Sequence, residues 1–144
     1  TGPVGGAMMG CEAMQAGTGE DSTAYRRPRA LLAEGRALAP VAHAMMDVSD
    51  GLLLDSWRMA QASGVTVAIH SAMVPLAAPE ARRADALRWG DDYQLLLAAP
   101  EGIAPSVPLY PVGRILPRGA SPLVLDGTAM TDPAGLGYQH AGRP

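Results

Sequence analysis

Between Val41 and His70 the chain spells out a strand, a turn, a helix and a second strand, and this run limits the available folds more than any other feature. Val41 to Val48 is short and apolar and runs into Ser49-Asp50-Gly51, which predicts a buried strand entering a turn. Leu53, Trp57 and Ala60 then recur at helical spacing until Ser63-Gly64, where a glycine should end the helix. Val65 to His70 alternates Val, Thr, Val, Ala, Ile, His, the period of a half-buried strand.

Around this run the elements are short, because 17 Gly and 13 Pro punctuate the chain. Ala7 to Gln15 is small and Met-rich and predicts a packed helix. Tyr25-Arg26-Arg27-Pro28-Arg29 reads as basic and extended, and Ala30 to Leu38 as a helix ending before Pro40. Glu80 to Trp89 predicts another helix, and Tyr93 to Ala99 a buried strand. Tyr110 to Leu116 and Pro122 to Leu125 are further strands. The expected fold class is α/β (α+β), a mixed sheet with helices packed on it, since the last strands follow one another without a helix between them. At 144 residues one core is the default.

Charge and composition narrow the function. A net charge of −3 without a basic stripe argues against nucleic acid. All 11 cationic side chains are Arg, and with no Lys the chain lacks a Walker-type phosphate loop, a Schiff-base amine and a Ser/Lys dyad. Cys11 stands alone, which excludes an intrachain disulfide and a zinc-thiolate cluster. His43, His70 and His140 lie far apart and read as surface or core residues. No apolar run reaches the roughly 20 residues of a membrane span, and no secretory leader opens the chain, so no membrane partner and a cytoplasmic location are expected. A chain that opens on Thr1 rather than Met reads as a processed product or as part of something longer.

Three clusters carry candidate chemistry. In Met46-Asp47-Val48-Ser49-Asp50-Gly51, at a strand end and a helix start, two carboxylates flank a hydroxyl. They could hold Mg²⁺ through oxygen donors while the helix amides receive a phosphate. The alternative is that Ser49 or Asp50 caps the helix and Asp47 makes a local turn. In Trp89-Gly90-Asp91-Asp92-Tyr93 one Asp could enter a cleft while the other holds the loop, or both are solvated turn acids. Tyr138, flanked by glycine in Gly135-Leu136-Gly137-Tyr138, could stack on a planar ligand or anchor the tail. Arg26, Arg27 and Arg29 are candidates for phosphate oxygens, with a solvated basic face as the plainer reading.

In order and spacing these clusters resemble the C-terminal domain of thiamine-monophosphate kinases, within the aminoimidazole-ribonucleotide synthetase superfamily. The matching text is Tyr25-Arg26-Arg27-Pro28, Gly35-Arg36-Ala37-Leu38, Ala44-Met45-Met46-Asp47-Val48-Ser49-Asp50-Gly51-Leu52 with Asp55 behind it, Ser63-Gly64-Val65, Gly90-Asp91-Asp92-Tyr93, Val112-Gly113-Arg114-Ile115, and Gly137-Tyr138 with His140. The resemblance implies residues 1–24 as an interdomain segment with a short helix and 25–144 as the substrate-side domain. An upstream domain that holds much of the ATP and Mg²⁺ would be missing, leaving this part inactive alone.

It further implies Asp47 and Asp50 as Mg²⁺ ligands, Ser49 as a nucleotide contact, and Asp91 and Tyr138 as contacts to thiamine monophosphate. ATP would be the co-substrate, and no catalytic side chain is assigned. The family pairs mainly through the upstream domain, so a homodimer is an expectation for the full-length enzyme only. Some positions depart from the pattern. Gly6 stands where the family has a metal-binding Asp, Trp89 replaces a Gly, Gln94 an acid and Ala141 an aromatic, and Ala30 stands where a second Pro-Arg pair is common. These departures motivate two alternatives, a non-catalytic ligand-binding remnant and a superfamily enzyme with a different small-molecule substrate.

Overall fold

The computed structural model describes residues 1–103 and 106–139. In chain order the elements are α1 (Gly6–Ala16), α2 (Thr23–Arg26), α3 (Leu32–Leu38), β1 (Ala44–Asp47), α4 (Leu52–Ser63), β2 (Val65–Ile69), α5 (Arg83–Ala86), β3 (Leu95–Ala98), β4 (Gly113–Pro117), β5 (Leu123–Leu125) and β6 (Thr128–Met130). Short 3₁₀ turns occupy Ser71–Met73 and Glu80–Arg82.

The strands form two sheets. One is mixed and four-stranded, in the order β4-β2-β5-β6, with β2 parallel to β5 and antiparallel to β4. The other is an antiparallel pair of β1 and β3, running from Ala44 opposite Ala98 to Asp47 opposite Leu95. The fold class read from the sequence therefore holds, with the apolar segments divided between two sheets.

Helix α4 ties the two sheets together. Its Leu52, Leu53, Leu54, Trp57 and Ala60 are buried in one cluster with Val67 and Ile69 of β2, Leu123 of β5 and Val48 after β1. Each Leu, Val or Ile among them contributes about 1.5–3 kcal/mol on leaving water. Val4 joins this cluster too, held by Val4 N–H to Pro75 O at 3.0 Å and Ala77 N–H to Val4 O at 2.9 Å. The residues ahead of α1 are thus part of the same core. Cys11 is a free, buried thiol.

Several elements differ from their sequence reading, each for a tertiary reason. The 80–89 segment keeps only a 3₁₀ turn and the four-residue α5, because its end turns away to meet the loop after β1. The extended reading around Pro28 holds only beyond Arg26, since Thr23–Arg26 makes a helical turn packed on α1. Thr66 of β2, read as the polar side of an alternating strand, is buried; its hydroxyl donates to Ser121 O at 2.7 Å and accepts from Gly119 N–H at 2.9 Å. Strand β6 follows β5 through Asp126-Gly127, both at positive φ, the residues and geometry of a tight hairpin turn.

Candidate functional site

Four backbone hydrogen bonds lace the loop after β1 to the two other acidic or aromatic clusters. Val48 N–H donates to Gln94 O at 2.8 Å, and Tyr93 N–H returns to Val48 O at 2.9 Å. Asp91 N–H donates to Ser49 O at 2.9 Å, and Tyr138 N–H to Asp50 O at 2.8 Å. Segments some 40 and 90 residues apart in the chain thereby meet at the strand end and helix start.

The approach is close enough to require glycine at two points. A Cβ on Gly90 would lie 2.3 Å from Ser49 O, and one on Gly137 would lie 2.2 Å from Asp50 O. Only a residue without a side chain lets these backbones touch.

The capping alternative does not hold. The N-cap of α4 is Gly51, and no side chain caps the helix from that position. Instead Asp55, in the first turn of α4 and buried, turns back: its Oδ2 accepts Ser49 N–H at 2.9 Å and Asp50 N–H at 3.0 Å. Burial chiefly pushes the Asp55 carboxyl above its ordinary value, opposed by these two amides and by Arg58. The expectation that the amides at this helix start wait for a phosphate needs correction, because Asp55 takes those of Ser49 and Asp50, and Leu87 O takes that of Leu53 at 3.2 Å.

Asp91 and Asp92 part as neighbouring side chains do. Asp92 Oδ2 and Oδ1 accept Gly5 N–H at 2.6 Å and Ala7 N–H at 3.0 Å, so it holds the start of α1 from 85 or more residues away. Its carboxyl is raised, mainly by burial, while those amides pull it down. Asp91 sits at φ 64° and Tyr93 at φ 49°, unusual for side chains of their size. The Tyr93 hydroxyl lies 3.3 Å from Asp91 Oδ1. It is pushed up first by desolvation, then by the charge and hydrogen bond of Asp91 and by the charges of Asp47 and Asp50. All three sequence-predicted acids therefore bear on one hydroxyl.

Asp47 ends β1 and is exposed, Ser49 and Asp50 are half-buried, and Tyr138 is exposed. Asp50 Oδ2 accepts a short hydrogen bond from Arg58 Nη1, which also reaches Asp55 Oδ1 at 3.0 Å. His140 and Ala141 lie outside the described residues. A cavity of about 380 Å³ lies beside Gly6, Arg27, Arg29 and Asp92, and the larger groove of about 1180 Å³ runs along β3 and β4. Neither is lined by Asp47, Asp50 or Asp91. The acids instead present a partly open face.

Among the described residues no three His, Cys, Asp or Glu side chains form a metal cage. The donors present still suit a hard cation: Asp47 and Asp50 offer carboxylate oxygens, and Mg²⁺ commonly takes one or two carboxylates and completes its shell with phosphate oxygens and water. Sequence reasoning did not assign roles to Asp55 or Arg58. An acid in the first turn of a helix that follows Ser-Asp-Gly was the available signal for Asp55; the three-residue spacing to Arg58 was the signal for the pair. No helix among the described residues is long and apolar enough to cross a membrane.

Comparison with known proteins agrees with this geometry. Residues 2–105 match the family described as AIR synthase related protein, C-terminal domain. The thiamine-monophosphate kinase of Methanopyrus kandleri is 33% identical over 129 residues, 80% of this chain and 42% of that protein. The crystal structure of the thiamine-monophosphate kinase from Stenotrophomonas maltophilia K279a superposes with a TM-score of 0.77 at 27% identity, over 90% of this chain and 49% of that one. A structure described as AaThiL complexed with AMPPCP and TMP gives a TM-score of 0.73 at 27% identity, over 92% of this chain and 48% of the other. The chain spans about half or less of the length of the relatives it matches.

Proposed function

The chain belongs to the AIR synthase related proteins, as their C-terminal domain, and from that premise we propose that it is the substrate-side half of a thiamine-monophosphate kinase. The reaction is transfer of the γ-phosphoryl group of ATP to thiamine monophosphate, giving thiamine diphosphate. One observation carries the reading: Asp47, Ser49, Asp50, Asp91 and Tyr138 come from three distant segments and are laced together where a strand ends and a helix begins. Ligands of α/β layers commonly sit at such places.

In this reading Asp47 and Asp50 hold Mg²⁺, which when bound neutralises charge on the phosphate oxygens. Ser49 meets the nucleotide through its hydroxyl, since its amide is spent on Asp55. Asp91, fixed by its own N–H on Ser49 O, holds the thiamine phosphate, and the exposed ring of Tyr138 stacks on its aromatic system. Phosphoryl transfer is mainly positioning and charge neutralisation, so a chain without Lys and without a protein nucleophile suits it. Residues 1–24 act as the connecting segment and 25–144 as the substrate-side domain. An N-terminal domain of the same gene product supplies the rest of the ATP and Mg²⁺ site and the homodimer contact, in the cytoplasm, and this half alone is inactive.

Changing Asp47→Asn or Asp50→Asn in the complete enzyme should slow turnover far more than it lowers the melting temperature. Full activity in both variants with Mg²⁺ present would remove the metal assignment. Gly6, standing at a family Asp, and the Asp50–Arg58 ion pair favour a second reading, a non-catalytic binding remnant. Calorimetric titration with thiamine monophosphate, with and without Mg²⁺ and a non-hydrolysable nucleotide, separates the two, since heat that depends on Mg²⁺ and nucleotide supports the kinase, and heat indifferent to both supports the remnant.

A further inference from the structure

Arg58 reaches across the first turns of α4 with one nitrogen, Nη1, donating both to Asp55 Oδ1 at 3.0 Å and to Asp50 Oδ2. The two carboxylates differ in kind. Asp55 has a fully buried side chain and is saturated by Ser49 N–H, Asp50 N–H and Arg58. Asp50, with a side chain 14% exposed, lies near enough to the Tyr93 hydroxyl for its charge to act there, as do those of Asp47 and Asp91. Arg58 itself is 42% exposed, anchored at its buried end and open at the other.

We infer that Arg58 is a positioning residue that holds the Asp50 carboxylate as an internal counter-ion, so that a divalent cation gains Asp50 only by displacing this pair. The inference rests on the reading of Asp50 as a metal ligand. A guanidinium is a good occupant for such a role because it is permanently charged, and here a single nitrogen serves both carboxylates. Its bond to Asp55 keeps it within reach of Asp50 after the pair opens, and its partly exposed guanidinium is then available to an incoming anion. The arrangement lowers the affinity of the site for a bare cation and favours one that arrives with phosphate, whose charge Arg58 then meets.

The test is the Asp50-dependent part of Mn²⁺ binding to the complete enzyme, read as loss of the free-ion signal in electron paramagnetic resonance, with Asp50→Asn as the reference for a lost ligand. Arg58→Gln should bind Mn²⁺ at least about fivefold more tightly than the parent, the scale set by a partly exposed ion pair and a nearby like charge, and Arg58→Lys should restore the parent's weaker binding. A merely structural role for Arg58 moves thermal stability and gives no gain in affinity.

Removing Arg58 leaves Asp55 buried without its cation. The double variant Asp55→Asn with Arg58→Gln therefore repeats the measurement with both charges gone, and the same tightening is expected. Equal or weaker Mn²⁺ binding in Arg58→Gln and in the double variant, with binding still lost in Asp50→Asn, overturns the role of Arg58 and leaves the metal reading standing. No difference in Mn²⁺ binding between the parent and Asp50→Asn overturns both.

Discussion

Replacing Gly90 by Ala should destabilise the chain by about 3 kcal/mol, and the figure follows from contacts on both sides of that residue. An added Cβ would lie 2.3 Å from Ser49 O and 3.2 Å from Asp50 Cα, both backbone atoms with no rotamer to escape into. Moving the loops apart to the shortest separation that real Cβ atoms show, 3.0 Å, needs about 0.7 Å. That displacement would stretch Asp91 N–H to Ser49 O and Tyr93 N–H to Val48 O from 2.9 Å to about 3.6 Å, beyond hydrogen-bonding range. Two lost backbone bonds at about 1 kcal/mol each, together with about 1 kcal/mol or more of overpacking, give the estimate. Urea unfolding at equilibrium measures it, and in the complete enzyme the same variant should raise the KM for thiamine monophosphate by displacing Asp91. A variant within about 0.5 kcal/mol of the parent, the range of an ordinary surface change, means that the loops can separate freely and that the close approach does not build the site.

Gly35→Ala is the matched opposite, because inside α3 its Cβ meets Leu95 Cδ1 at 3.7 Å and Met45 Cε at 4.0 Å, both ordinary contacts; it should stabilise the chain by about 0.5–1 kcal/mol in the same assay. Ser56→Ala should also be neutral to stabilising, by up to about 1 kcal/mol, since Ser56 is fully buried and its hydroxyl has no hydrogen-bond partner among the described residues. Asp92 supplies the pH prediction. Its folded carboxyl lies above the ordinary 3.8, so its contribution to stability grows as pH falls through the folded value, is complete below 3.8, and is lost again as pH rises. Asp92→Asn should remove that component, so the difference between parent and variant unfolding free energies should be constant below 3.8, change as pH rises through the folded value, and level off again above it.

Much of this protein lies in its local spacing. Leu53, Trp57 and Ala60 with the stop at Ser63-Gly64 specify α4, since a helical stripe and a glycine cap are short-range properties of the chain. The apolar runs before Ser49 and after Tyr93 specify β1 and β3, although not that they pair with each other and stand apart from the larger sheet. The Asp126-Gly127 turn, and with it β6, went unread, although Asp-Gly after an apolar run is a short-range hairpin signal. Of the candidate site, the acids at 47, 50 and 91 and the ring at 138 were visible as residue types in suggestive places.

What short-range spacing could not supply is which groups those residues already occupy. Asp92 lies beside Asp91 in the chain yet serves the start of α1, because the pairing of a buried amide with an acceptor is settled by the fold and not by sequence distance. Asp55 takes the amides expected to wait for a phosphate, and Arg58 takes the carboxylate expected to wait for a metal. A side chain's partners depend on which backbone segments come within about 3 Å of it, and here that distance is set by glycines at 90 and 137 that let three remote loops close on one another.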